Sequence, residues 1–337
     1  MGEKDVVSNN YLSNSDRFAQ MYNNGIFHGQ PLIRPEKLRD LTPREMTVLK
    51  HRTSAFGSGS GRKEGNKDRT LLAKYRDILK IYDDQAILAI YGIENQTEIH
   101  YAMPLRHMLY DALNYEKQRA VIEQSHQEKK DLSGAELLSG FSMQDRLVPV
   151  MTLAVYWGTK PWNGPKELHE MLDIPPDLLH YKDRIGNYPM NLLEVRSIPN
   201  LEQYHGELKA LLGFVKYQKN PALMKAFMAE NQSLFQNMTM ETVRAMTVLG
   251  NAKQLEKSVI NHGDEGKETV DVCEALEVMI EEGRKEGRKE GQTEGGIRTL
   301  IEDNLEEGIS EERIVEKLQK RFRLSAEQAM EELEKYR

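Results

Sequence analysis

The sequence predicts an α/β fold, a mixed central sheet flanked by helices and followed by an all-helical C-terminal region. Three observations carry this. Two extended apolar runs, residues 76–82 and 86–96, flank a turn near Asp83-Asp84, the pattern of a β-hairpin. A third apolar run, residues 146–157, follows a helical stretch that Pro104 opens at its first turn. From residue 201 to 280 the apolar residues recur at helical spacing only. Helix, strand, strand, helix, strand is the order of a sheet with helices packed on it.

Each element has a local cause. Ser13-Asn14-Ser15-Asp16 caps a short helix over 17–23, with Phe18, Met21 and Tyr22 on its buried side. Pro31 and Pro35 mark extended chain. Residues 52–69 hold Gly57-Ser58-Gly59-Ser60-Gly61 and five basic side chains (Arg52, Arg62, Lys63, Lys67 and Arg69), which reads as a flexible, solvated loop. The helix after Pro104 runs to about Glu123, and Leu105, Met108, Leu109, Ala112, Leu113 and Ala120 are its expected core side. Pro149 confines the start of the third strand to an edge or bulge, and residues 165–172 form a short helix. Gly283, Gly287, Gly291 and Gly295 recur every four residues; each costs a helix about 1 kcal/mol, so 283–296 reads as a solvated linker ahead of a charged helix. Ser310 caps a helix over 311–321, and Ser325-Ala326-Glu327-Gln328 fits a capping box before the last one. Domains follow: 1–200, 201–282, the 283–296 linker or helix, and a small helical segment over 297–337.

Composition narrows the function. The chain has 337 residues, enough for a sizeable core, with 39% apolar and 29% charged side chains. A net charge of −7 argues against a surface covered in basic nucleic-acid contacts, while leaving room for a local basic track; Arg119, Lys129 and Lys130 extend such a track or are simply solvated. The single cysteine, Cys273, excludes an internal disulfide and a cysteine-based zinc site. The first residues hold no apolar signal core and no stretch is apolar enough to span a bilayer, so a cytoplasmic protein without a membrane partner is expected.

The chemistry-bearing feature is a carboxylate on each strand of the hairpin. Asp77 lies in the first run and Glu94 in the second, with Gln96 one pleat repeat beyond. If Asp77 and Glu94 face one way, their oxygens bracket a hard divalent cation, Mg²⁺ or Mn²⁺. Such an ion polarises a phosphate and lowers the pKa of a bound water. Gln96 orients that water or donates to a phosphate oxygen but cannot titrate. A two-residue turn at Asp83-Asp84 sets Asp77 opposite Ile90 rather than Glu94, so the pair needs a longer turn or a bulge, with Gly92 the candidate. The alternative is that Asp77 ends a strand and Glu94 faces solvent. Arg106 and Tyr110, one helical turn apart, are candidate contacts to a phosphate backbone; alternatively Tyr110 is core and Arg106 pairs with Asp111. His100 and His107 are too isolated for a zinc site and read as structural.

Asp77-Ile78-Leu79, then Ile93-Glu94-Asn95-Gln96-Thr97, then Tyr101-Ala102-Met103-Pro104-Leu105-Arg106 resemble the PD-(D/E)XK nuclease family transposases, also called Rpn-type recombination-promoting nucleases. Arg17-Phe18-Ala19, Pro149-Val150, Tyr156-Trp157-Gly158, Trp162-Asn163-Gly164-Pro165-Lys166-Glu167-Leu168 and the glutamate-glycine tail agree, so the resemblance covers about residues 11–295. It implies a restriction-endonuclease-like sheet, Asp77 and Glu94 as metal ligands, and Asp16 as a further ligand. Gln96 stands where the wider superfamily usually carries lysine. The resemblance implies divalent-metal-dependent DNA cleavage linked to recombination. A catalytically silent DNA-binding protein and an RNA-cleaving enzyme remain open, and a homodimer formed through the C-terminal helices is expected because two sites nick two strands.

Overall fold

A computed structural model describes residues 3–40, 78–83, 86–93, 101–252, 255 and 269–336, with backbone alone for 87–93, 282, 283, 286, 287, 289 and 290. The chain opens with two helices, α1 (Glu3–Leu12) and α2 (Ser15–Gly25). Asn14 caps α2, its Oδ1 accepting from the backbone N–H of Asp16 at 3.0 Å and Arg17 at 3.2 Å. Phe18, Met21 and Tyr22 are wholly buried, as their spacing predicts.

Five strands make one sheet in sequence order: β1 (Leu38–Asp40), β2 (Ile78–Tyr82), β3 (Ala86–Ile93), β4 (Val150–Tyr156) and β5 (Asn191–Glu194). β1, β2 and β3 are antiparallel neighbours; β3, β4 and β5 are parallel. The hairpin register differs from the two-residue turn expected. Tyr82 pairs with Ala86, leaving three intervening residues, and Ile78 rather than Asp77 stands opposite Ile90. Asp83 accommodates the turn with a left-handed backbone, φ 49°. Gly92 is no bulge against β4, since seven consecutive pairs from Ile87–Val150 to Ile93–Tyr156 include Gly92–Val155.

The crossover between β3 and β4 is α3 (Met103–Lys129), longer than the sequence suggests, followed by the short α4 (Gly134–Ser139). Lys130 ends α3 in the left-handed conformation. α2 and α3 cover opposite faces of the sheet. Met151, Leu153 and Val155 point to the α2 side, where Tyr22 Oη donates to the Met151 carbonyl at 2.7 Å. Thr152, Ala154 and Tyr156 point to the α3 side. The expected helix over 165–172 is a single 3₁₀ turn, Leu168–Met171.

Beyond β5 the chain is mainly helical: α5 (Gly206–Tyr217), α6 (Pro221–Glu230), α7 (Gln232–Gln236) and α8 (Met240–Leu249). A small ladder, β6 (Met238–Thr239) with β7 (Thr269–Val270), interrupts the all-helical expectation. One apolar cluster runs from Val7 through Ile78 and Leu153 to Ile280, so the sheet and these helices share a core. Arg17 reinforces that junction. Its guanidinium lies 3.7 Å from the Tyr11 ring centroid and pairs with Glu241 at 2.8 Å and Glu207 at 3.6 Å.

The glycine repeat is helical. α9 (Cys273–Glu306) continues through it as one element, about 51 Å long at 1.5 Å per residue. The linker reading fails because both ends are anchored: Leu276 and Ile280 sit in the main core, and Ile297, Leu300 and Ile301 sit in a second one. That second core is closed by α10 (Glu311–Phe322) and α11 (Ala326–Lys335). Ser325 and Gln328 form the expected capping box, whereas Ser310 occupies its N-cap position without a side-chain bond to the helix.

Candidate functional site

Asp77, Glu94, Gln96 and His100, with loop 52–69, lie outside the described residues. The strands beside them set the frame. Because β2 and β3 are antiparallel, the start of β2 and the end of β3 occupy the same end of the sheet, and Asp77 directly precedes Ile78 while Glu94 directly follows Ile93. The carboxyl ends of β4 and β5 lie there as well. In open sheets with parallel strands that end is where ligands bind.

Side chains named in the sequence resemblance, with Glu194 and Arg196, which sequence reasoning missed, gather at this end. Glu194 closes β5; its Oε2 accepts from the Trp162 backbone N–H at 3.0 Å and its Oε1 lies 3.6 Å from Lys166 Nζ. Trp162 stands edge-on to Tyr156, with ring centroids 5.3 Å apart, and both bury against Met103, the first residue of α3. Burial, then the neighbouring Glu194 carboxylate, raises the Tyr156 phenol above its usual range. Burial also lowers Arg196, whose Nε donates to the Gly158 carbonyl at 2.9 Å. The indole N–H of Trp157, at the end of β4, is buried with no hydrogen-bond partner among the described residues. The Trp162-to-Lys166 stretch was a legible signal; Glu194 was not, because an acid ending a strand is common.

Asp16 is half-exposed in the first turn of α2. Its Oδ2 accepts from Gln20 Nε2 at 2.8 Å, and its Oδ1 lies 3.9 Å from His205 Nε2. Among the described residues no group of three or more His, Cys, Asp or Glu side chains is arranged to hold a metal.

Arg106 and Tyr110 come together. Arg106 Nη2 donates to Tyr110 Oη at 3.3 Å, and its guanidinium lies 5.9 Å from that ring's centroid. Tyr110 is half-buried, and the Asp111 carboxylate bonds Thr152 and Tyr188. The expected core side of α3 holds only in part: Ala120 is buried and Met108 and Leu113 are half-buried, while Leu105, Leu109 and Ala112 turn outward. Leu105 is 45% exposed and Leu109 is 53% exposed. His107, Asp111 and Asn114 face inward instead, each under 7% exposed. Burial, then the neighbouring Arg106 charge, depresses His107 to about 4, so it is a neutral structural histidine. Burial raises the Asp111 carboxyl, against the opposing hydrogen bonds from Thr152 and Tyr188.

No helix among the described residues is long and apolar enough to cross a membrane. No family model matches the chain, and no curated protein or solved structure matches it either.

Proposed function

We propose that the protein is a divalent-metal-dependent DNA endonuclease of low sequence specificity, linked to recombination, built on a restriction-endonuclease-like sheet. One observation carries it: in the chain, Asp77 and Glu94 adjoin the two neighbouring strand ends, the start of β2 and the end of β3, at one end of a mixed sheet. Two carboxylates there would hold Mg²⁺ or Mn²⁺, which supplies an activated water and neutralises charge on the phosphate. Asp16 is a further ligand in this reading, and Gln96 positions the water. The phosphate backbone tracks Arg106 and Tyr110 at the start of α3.

A shared cation makes a demand on the pleat. With Ile78 opposite Ile90, an unbroken register assigns positions 77 and 94 to opposite faces. The two acids converge only with one extra residue outside the described ladder, because Gly92 does not provide it.

The test is supercoiled plasmid with Mg²⁺ or Mn²⁺. Wild type nicks it, and Asp77→Ala and Glu94→Ala each reduce the rate on the order of a hundredfold or more, as loss of an ion that stabilises the transition state by several kcal/mol requires. Nicking undiminished in both variants would falsify the site. Glutamine in the lysine place favours a second reading, a catalytically silent DNA-binding protein, which shows salt-dependent binding and no cleavage with any divalent ion. In either case the C-terminal helices mediate a homodimer; sedimentation giving only monomer at micromolar concentration, with and without DNA, removes that element.

A further inference from the structure

α3 is inside out. Its sheet-facing stripe is His107, Asp111, Asn114 and Gln118, spaced by four, three and four residues, while Leu105, Leu109 and Val121 are exposed. Three side chains of the helix hydrogen-bond groups on the sheet side. Asp111 Oδ1 accepts from Thr152 Oγ1 on β4 at 2.5 Å, and its Oδ2 accepts from Tyr188 Oη. Gln118 both accepts from the Val148 N–H at 2.7 Å and donates to the Val148 carbonyl at 3.1 Å. Tyr115 Oη accepts from the Val150 N–H at 3.1 Å.

Burying a carboxylate between two hydroxyls is an expensive way to dock a helix that carries leucines on its other side. Apolar contacts let a helix rotate or slide by a fraction of a residue; hydrogen bonds of fixed length and direction do not. The arrangement therefore fixes the rotation of α3 about its own axis. The next residues on its surface are Tyr110, whose carbonyl accepts from Asn114 Nδ2 at 3.1 Å, and Arg106, which bonds the Tyr110 hydroxyl.

Resting on the nucleic-acid reading above, we propose that Asp111, clamped by Thr152 and Tyr188, is a positioning residue that sets the rotation of α3 so that Arg106 and Tyr110 face the phosphodiester backbone. Tyr188 precedes β5, so the same clamp ties the segment before Glu194 to the helix.

The experiment is equilibrium binding of a fluorescent DNA duplex to the full chain, with Ca²⁺ replacing Mg²⁺. The triple variant Asp111→Leu, Thr152→Val, Tyr188→Phe removes the acceptor and both donors together, which leaves no orphaned group and preserves thermal stability. It is expected to bind about tenfold more weakly, about as weakly as Arg106→Ala. Adding Arg106→Ala to the triple variant weakens binding little further, because both changes remove the same contact. A clamp that only stabilised the fold predicts the opposite, wild-type affinity in a triple variant that melts normally, and that result overturns the proposal. If the triple variant does not fold, Tyr188→Phe alone decides it: several-fold weaker binding supports the proposal, and unchanged binding overturns it. A wild-type chain that binds no DNA removes the nuclease reading and this inference together, whereas wild-type binding retained by the triple variant removes only the inference.

Discussion

α2 and α3 cover opposite faces of one sheet by opposite means. α2 presents Phe18, Met21 and Tyr22, all inaccessible to solvent, and docks on the sheet by apolar burial, with the Tyr22 hydroxyl bonded to the Met151 carbonyl. α3 turns a largely polar stripe inward, from which Asp111 bonds Thr152 on β4 and Gln118 bonds Val148 just before it, while Leu105 and Leu109 stay in solvent. The difference separates two jobs a packed helix can have. Apolar burial contributes most to stability and tolerates small shifts, whereas a polar contact surface adds little net stability and fixes orientation. The helix that holds the core together and the helix that leads from the candidate site are different helices.

The largest effect that sharpens this contrast is core truncation. Phe18→Ala should cost roughly 3–5 kcal/mol, whereas Leu105→Ala and Leu109→Ala should each stay within about 0.5 kcal/mol. Urea unfolding at neutral pH measures all three, and a large loss at Leu105 or Leu109 would mean that α3 docks by its apolar side after all.

The next effect is a pair of opposed pH slopes on α3. His107 has a folded-state pKa of about 4 against 6.5 for the free imidazole. Its contribution is present above pH 6.5 and is lost as pH falls from 6.5 toward 4, by roughly 3 kcal/mol for a shift of this size. His107→Leu should flatten that slope. Asp111 has a raised folded-state pKa, so its linkage runs the other way: stability is fullest below pH 3.8 and declines as pH rises through the folded value. Asp111→Asn should remove that decline, and Phe18→Ala on α2 should leave both slopes in place. Chemical denaturation at successive pH values reads each slope separately.

The smallest effect is local, at the far end of α3. His126 is gripped by Asp131 at 2.6 Å on Nδ1 and by Asp145 at 2.9 Å on Nε2, which raises its pKa above the usual imidazole value. A neutral ring keeps only one of these bonds as a donor. The grip is therefore complete below pH 6.5 and is lost as pH rises through the elevated value. Amide-exchange protection over residues 131–145, corrected for the intrinsic rise of exchange with pH, should fall in that alkaline window and not below it, and His126→Gln should show low protection at both. Equal protection on either side of the titration would show that α4 and its flanks hold their place without the histidine.

Much of the fold was legible. The Asn14 region, the hairpin, Pro104, the strand through Leu153 and the Ser325 capping box are local signals, and local chain chemistry sets them. The orientation of α3 was not legible, because Leu105 and Leu109 supply an apolar period as convincing as that of α2. The polar period of His107, Asp111, Asn114 and Gln118 was equally present, but nothing in a single helix says which period meets the sheet. The glycine repeat misled for a similar reason. Its residues favour a linker, and the helix persists because Ile280 and Ile297 are anchored in separate cores. Of the candidate site, helical spacing brought Arg106 beside Tyr110, while Glu194 and Tyr188 arrive from distant sequence.

The sequence by itself marked the starts of α2, α3 and the last helix and the presence of the hairpin and the strand through Leu153, since caps, prolines and apolar runs act over a few residues. Only the tertiary structure decided the hairpin register, the face that α3 turns inward and the continuity of α9. Those depend on partners such as Thr152, Tyr188 and the two separate cores, which lie far away along the chain and meet only once it has folded.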